Sequence, residues 1–144
     1  SQPIYNEDGT KLIIYNGEIY NYKELREELL TKGHTFKTAS DTEVILHGYE
    51  EYGEKFLDRL RGMFAFVIWD RDKSELFGAR DHFGIKPFYY YHRGDSFMFA
   101  SEIKAFLDHD DFVKEFNRDM LSTYLSFSFT PGTDTFFKNT IPFY

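Results

Sequence analysis

Lys11-Leu12-Ile13-Ile14-Tyr15-Asn16-Gly17-Glu18-Ile19-Tyr20-Asn21 is the stretch from which the fold is deduced. Leu12 to Tyr15 reads as a buried strand behind the turn Glu7-Asp8-Gly9-Thr10, and it runs into Asn16-Gly17. Asn-Gly is a common hairpin corner, and a returning strand should follow such a corner. Instead Asn21 is placed to cap a helix, with Glu24 as the reciprocal capping-box acid and Tyr22, Leu25 and Leu29 on one helical face. At the strand's edge a side-chain amide and an unencumbered backbone N–H then lie side by side, the two donors with which an oxyanion is held.

Outward from this stretch, Gly33 stops the first helix and His34-Thr35-Phe36-Lys37 is a short strand candidate. Ser40-Asp41-Thr42-Glu43 opens a second helix, which carries Val44, Ile45, His47 and Gly48. Capping accounts for Ser40 and Glu43 and leaves Asp41 over, a carboxylate able to pair with a substrate ammonium. Gly53 breaks this helix, and Phe56, Leu57 and Leu60 suggest a short third one. From Met63 the period becomes that of strands, over 63–69, 75–79, 88–91 and 96–100, with hairpin-like turns at 70–74 and 92–95. This predicts an antiparallel meander.

After Glu102 the pattern predicts a short helix through Ala105, Phe106 and Leu107, then one capped by Asn117 with Met120, Leu121, Tyr124 and Leu125 on its apolar side. Pro131-Gly132-Thr133-Asp134 is a turn, and the end of the chain has no strong periodicity. Helices in an early block and strands in a later one give an α+β domain.

Composition narrows the function. The chain has 144 residues, 42% hydrophobic and 20% aromatic, enough for one domain with a real core. With 24 acidic against 17 basic side chains its net charge is -7, which disfavours nucleic acid or an anionic membrane as partner. The apolar run from Met63 to Trp69 is too short to span a bilayer. Cysteine is absent, so disulfides and thiolate metal sites are excluded. No secretory signal is visible, and a cytoplasmic setting is the expectation. His34, His47, His82, His92 and His109 show no metal-ligand spacing, and no metal is expected in this domain.

Asn16-Gly17-Glu18-Ile19-Tyr20-Asn21, Ser40-Asp41-Thr42-Glu43, Gly62-Met63-Phe64-Ala65-Phe66, the run from Arg80 to Tyr90, and Ser101-Glu102-Ile103-Lys104-Ala105 together resemble the glutaminase domain of glutamine-hydrolysing asparagine synthetases. Asn-Gly and Asp-Thr-Glu are shared by class II glutamine amidotransferases at large, and the other stretches have the narrower form. The resemblance implies an αββα sandwich of the N-terminal-nucleophile type with antiparallel sheets, incomplete at the N-terminus. It covers residues 1–136, leaving 137–144 unassigned.

By the same resemblance, Asn16 and Gly17 form the oxyanion hole, while Glu18 and Asp41 contact the ammonium end of glutamine. The family's nucleophile is an N-terminal cysteine, and this chain has none. The family's first few tens of residues, with its substrate-carboxylate arginine, are therefore expected to have no counterpart here. Ser1 is not read as the nucleophile, because Ser1-Gln2-Pro3-Ile4-Tyr5 matches a segment downstream of it. The loop with Arg80, Asp81 and Lys86 is read as structural, stiffened by Gly84 and Pro87.

The function implied is the glutaminase part of an asparagine synthetase, inactive on its own. Its partners would be glutamine and the synthetase domain of the same parent chain, with ATP and magnesium used in that second domain and no cofactor in this one. The alternatives are an asparagine-synthetase-like amidotransferase with another acceptor, and a degenerate, non-catalytic binding module.

Overall fold

In a computed structural model of the chain, which describes residues 2–127 and 134–143, strand β2 (Lys11–Ile19) pairs antiparallel with β3 (Gly62–Asp70). The register runs without interruption from Lys11↔Asp70 to Ile19↔Gly62. β1 (Ile4–Tyr5) flanks β2, and β4 (Glu75–Arg80) flanks β3, giving the sheet order β1-β2-β3-β4. Because side chains alternate across a strand, Ile13, Tyr15 and Ile19 share one face with Phe64, Phe66, Ile68, Phe77 and Ala79. Leu12, Ile14, Asn16 and Glu18 take the other face.

Two helices cover the first face. α1 (Tyr22–Thr31) contributes Leu25 and Leu29, and α2 (Asp41–Tyr52) contributes Val44, Ile45, Leu46 and Tyr49 to the same core. Every residue of α2 from Thr42 to Tyr49 is buried, so this helix is an interior element and not an amphipathic surface one. A 3₁₀ segment, Gly53–Arg59, follows and lays the Phe56 ring against Gly48, where an added Cβ would stand 2.1 Å from a ring carbon. Glu28 of α1 is bound through both carboxylate oxygens by the Arg59 guanidinium and also accepts from the Tyr52 hydroxyl. The Arg59 bonds, then the Tyr52 bond, hold the Glu28 carboxyl down at about 2.

These elements belong to a first compact unit, Ser1–Lys86, and the second is Pro87–Tyr144. In the second, β5 (Tyr89–Arg93) and β6 (Ser96–Ala100) form a hairpin, and β7 (Thr140–Pro142) pairs with the other edge of β5. Tyr91, Phe106 and Phe112 make its small core, with Ile103–Phe106 a 3₁₀ turn and α3 spanning Arg118–Phe127.

The α+β class with antiparallel sheets is observed. Several local expectations are corrected. The strands do not form one meander, because β4 ends at Arg80 and the chain enters a loop before β5 begins a second sheet. Residues 34–37 are not a strand. Neither capping box forms: the Asn21 amide donates to Arg59 O at 2.9 Å and accepts from Arg61 N at 3.0 Å, serving a distant segment instead of its own helix. Ser40 does cap α2, accepting from Thr42 N at 3.2 Å, but Glu43 turns back to Lys37 N and Thr38 N at 2.7 Å each. In α3, Met120 is buried whereas Tyr124 and Leu125 are exposed. Thr140-Ile141-Pro142, too short to show a period, supplies β7. Ser1 and the turn expected at Pro131-Gly132-Thr133 lie outside the described residues.

Gly48→Ala should destabilise the chain by about 1–3 kcal/mol in chemical denaturation, because its methyl meets the Phe56 ring. The double variant Gly48→Ala/Phe56→Leu should recover part of that loss. Glu28 titrates lower in the folded than in the unfolded chain, so its contribution is present above pH 4.5 and is lost as pH falls towards about 2. Glu28→Gln should flatten that part of the stability-versus-pH curve, and an unchanged slope would count against the pairing.

Candidate active site

The edge of β2 supplies the site. Along an antiparallel strand, alternate residues direct N–H and C=O to opposite sides. Tyr20 N reaches Arg61 O at 2.7 Å, on the β3 side, so the even-numbered residues of this end face β3. Odd-numbered residues face the opposite edge. There Ile13 pairs with Ile4 of β1, and Tyr15 N donates to Gln2 Oε1 at 2.6 Å while Gln2 Nε2 donates to Tyr15 O at 2.6 Å. At Ile19 the N–H donates to Asp41 Oδ2 at 3.0 Å. Gly17 lies between these two secured positions, and by the same alternation its N–H points to the edge of β2 away from β3.

Asn16 and Glu18 alternate onto the face away from the helices and are exposed. Among the described residues, neither the Asn16 amide nor the Glu18 carboxylate has a hydrogen-bond partner. Asn16-Gly17 was expected to close the strand and instead lies within the nine-residue β2, opposite Ala65 and Phe64. The pairing with β3 overrides the local turn tendency. Gly17 is required sterically too, since a Cβ there would stand 2.2 Å from Met63 O and 2.7 Å from Phe64 Cα.

Asp41 is positioned as the first residue of α2. Its Oδ2 accepts from the Tyr15 hydroxyl at 2.6 Å as well as from Ile19 N, so one carboxylate oxygen brackets the segment holding Asn16, Gly17 and Glu18. Burial, then the hydrogen bond to Asp41 and the charges of Asp41 and Glu18, push the Tyr15 phenol far up, so it stays a donor to Asp41. The site therefore combines two adjacent amide-type donors with two carboxylates, which can hold an oxyanion and a cation on one small molecule. Gln2 and Tyr15, which support it, carry no motif that would have marked them in the sequence.

The Arg80–Lys86 loop is structural. Asp81 accepts from Phe64 N at 3.2 Å, Ile85 N at 2.9 Å and Lys86 N at 3.1 Å, and Arg80 donates to the carbonyls of Gly84 and Lys86. Burial acts to raise the Asp81 carboxyl, but these backbone N–H groups outweigh it and hold the group below the usual carboxylate range. Among the histidines, spacing along the chain gives no sign that His34 and His47 lie together with Glu7.

A sequence family described as a glutamine amidotransferase domain matches residues 1–143. The chain is 52% identical over 134 residues to asparagine synthetase (glutamine-hydrolyzing) 1 of Bacillus subtilis strain 168, covering 93% of this chain and 21% of that protein. It is 57% identical over 109 residues to asparagine synthetase (glutamine-hydrolyzing) 2 of Arabidopsis thaliana, covering 74% and 18%. The chain spans about a fifth of the length of these curated relatives. Among solved structures, it is similar to glutamine phosphoribosylpyrophosphate amidotransferase from B. subtilis, with a TM-score of 0.62 and 30% identity over 73% of this chain and 25% of that one.

Gly17→Ala should force β2 and β3 apart, costing about 1–3 kcal/mol in denaturation and accelerating amide exchange most across Asn16 to Ile19. A variant as stable and as protected as the parent would mean that the strands do not approach this closely.

Proposed function

Since the chain belongs to the glutamine amidotransferase domain family, we propose that it is the glutaminase part of an asparagine synthetase, hydrolysing glutamine to glutamate and ammonia for the amidation of aspartate. The observation that carries this is the Gly17 N–H directed to the β2 edge beside the Asn16 amide, which has no partner among the described residues, in a segment bracketed by Gln2 and Asp41. Identities of 52% and 57% to proteins named asparagine synthetase support the narrower assignment.

In this reading a thiolate, supplied by residues other than these because the chain has no cysteine, attacks the side-chain amide carbon of glutamine. The carbonyl oxygen gains charge as the tetrahedral intermediate forms. Asn16 Nδ2 and Gly17 N donate to it, and they do so more strongly to the oxyanion than to the ground-state carbonyl. Collapse of the intermediate, with the proton taken from the thiol by the nucleophile's own α-amine returned to the leaving nitrogen, expels ammonia and leaves a thioester, which water hydrolyses to glutamate. Asp41 and Glu18 hold the substrate ammonium, Asp41 through Oδ1, since its Oδ2 is engaged by Tyr15 and Ile19.

Ammonia then passes to the synthetase domain of the same parent chain. ATP and magnesium are assigned to that domain, and no residue of this chain is given to them. The proposed setting is the cytoplasm: the chain has no cysteine to form a disulfide, and among the described residues no helix is long and apolar enough to cross a membrane.

The test is a chimera in which these residues replace their counterparts in the B. subtilis asparagine synthetase. It should make asparagine from glutamine. Asn16→Ala should lower glutamine-dependent kcat by about 10² to 10³-fold with a smaller change in KM, because the donor acts on charge present only in the tetrahedral state. Asp41→Asn should instead raise the KM for glutamine most, and both variants should keep the activity with supplied ammonia. A chimera that works with ammonia but never with glutamine would overturn the assignment. An unchanged KM in Asp41→Asn would remove Asp41 from the substrate site.

A further inference from the structure

The later part of α2 gathers a second set of groups, separate from Asn16 and Asp41. Glu7 from the turn before β2, His34 from the connection between α1 and α2, and His47 on α2 each offer one ligand atom, and these lie within 4.8 Å of one another. Glu50, one turn after His47, adds a carboxylate whose Oε2 is 2.7 Å from His47 Nδ1 and 3.9 Å from His34 Nδ1. Glu7 Oε2 is 3.6 Å from the same His47 nitrogen.

Three further atoms of these side chains are engaged by neighbours. Glu7 Oε1 accepts from the Thr35 N–H and hydroxyl at 3.2 Å each, and Glu50 Oε1 accepts from the Asn6 amide at 2.6 Å. His34 Nε2 is 3.2 Å from Glu51 Oε2, which orients the ring so that Nδ1 is left for the cluster. Such outer partners fix ligand orientation and tautomer at metal centres. Glu7, His34 and His47 thus form the close group, and Glu50 Oε2 stands beside it as a fourth oxygen within reach of both histidines.

His47 indicates what the cluster accepts. Its side chain is 1% exposed, and its Nε2 has no hydrogen-bond partner among the described residues and lies 4.0 Å from Glu43 Oε1. With the ring's single proton on Nδ1, that nitrogen serves Glu50, and the Nε2 lone pair is left buried facing a carboxylate. The other tautomer directs N–H at Glu43 and a lone pair at Glu7 and Glu50, an arrangement that a cation bound among them would satisfy. A tetrahedral zinc ion with bonds of roughly 2.0–2.1 Å keeps its ligand atoms about 3.3 Å apart, within the spread of the contacts already present. Two imidazoles and two carboxylates suit zinc better than magnesium, which favours oxygen ligands and retained water.

We propose that Glu7, His34, His47 and Glu50 form a structural zinc site that fastens the β1–β2 turn and the α1–α2 connection to α2. With four protein ligands the coordination shell is closed, so the ion stabilises the unit and takes no part in glutamine chemistry. Glu7 is the exposed ligand, and the ion enters past it.

The chain, stripped with chelator, should bind about one zinc ion in calorimetric titration and unfold at a higher temperature when it is added. Magnesium at the same concentration should leave the unfolding temperature unchanged. Cobalt should give the visible absorption of a tetrahedral centre. Glu7→Gln and His34→Ala alter partly exposed ligands, so the metal-free folds should survive while zinc affinity falls by at least about 10 to 100-fold in each. Absence of zinc binding, or binding that both variants retain, would overturn the site and leave a protonated histidine–carboxylate network in its place.

Discussion

The uninterrupted pairing of β2 with β3 is the constraint on which the rest depends. Once Lys11 faces Asp70 and Ile19 faces Gly62, the side-chain faces of both strands are fixed. Ile13, Tyr15 and Ile19 must meet the helices, while Asn16 and Glu18 must turn away from them. The same register decides which backbone groups are spent within the sheet and which are left at its edge. A slip of one residue would bury Asn16 among the aromatic side chains of the core and direct the Gly17 N–H into the ladder. Core packing and the site's donors are therefore consequences of one alignment.

Carboxylates do much of the fastening in a chain whose net charge is -7. Asp41 links α2 to two points on β2, Glu43 collects the loop before α2, Asp81 secures the turn after β4, and Asp70 accepts from Asp72 N at 3.1 Å and Lys73 N at 3.2 Å in the β3–β4 hairpin. Each takes backbone N–H donors that secondary structure leaves over. A carboxylate so held gains charge-assisted hydrogen bonds without needing a buried cation, and the backbone donors it satisfies would otherwise be costly to bury. The acidic excess is thus partly structural.

What could be read from the sequence divides by range. Ser96 to Ala100 was legible as a strand because alternation and the His92–Asp95 turn agree locally, and Gly33 marks the end of α1 for the same reason. Asn16-Gly17 was legible as a chemical pair but not as strand interior, since its partners Ala65 and Phe64 lie far along the chain and outweigh the local turn tendency. The capping boxes failed likewise: Asn21 accepts from the distant Arg61 N and Glu43 from Lys37 N and Thr38 N, donors better placed than those at their own helix ends. Asp41 stood out because capping did not need it, whereas Tyr15 looked like an ordinary core aromatic until its hydroxyl was seen on that carboxylate. Glu7, His34 and His47 come from three separate segments, and only the folded chain brings them together.

The close approach at Gly17 also bears on how the two members of the Asn-Gly pair should be weighed when relatives are compared. Every other amino acid carries a Cβ, and any Cβ at this position collides with the carbonyl of Met63. Purifying selection will hold the glycine wherever β2 and β3 pair this way, including in descendants that have given up glutamine hydrolysis. Asn16 has no such packing obligation: its side chain is exposed and the sheet does not depend on it. On the proposed function, retention of the asparagine therefore reports selection on chemistry, whereas retention of the glycine reports selection on the fold, and a lineage that keeps Gly17 while losing Asn16 would have kept the scaffold without the proposed oxyanion donor.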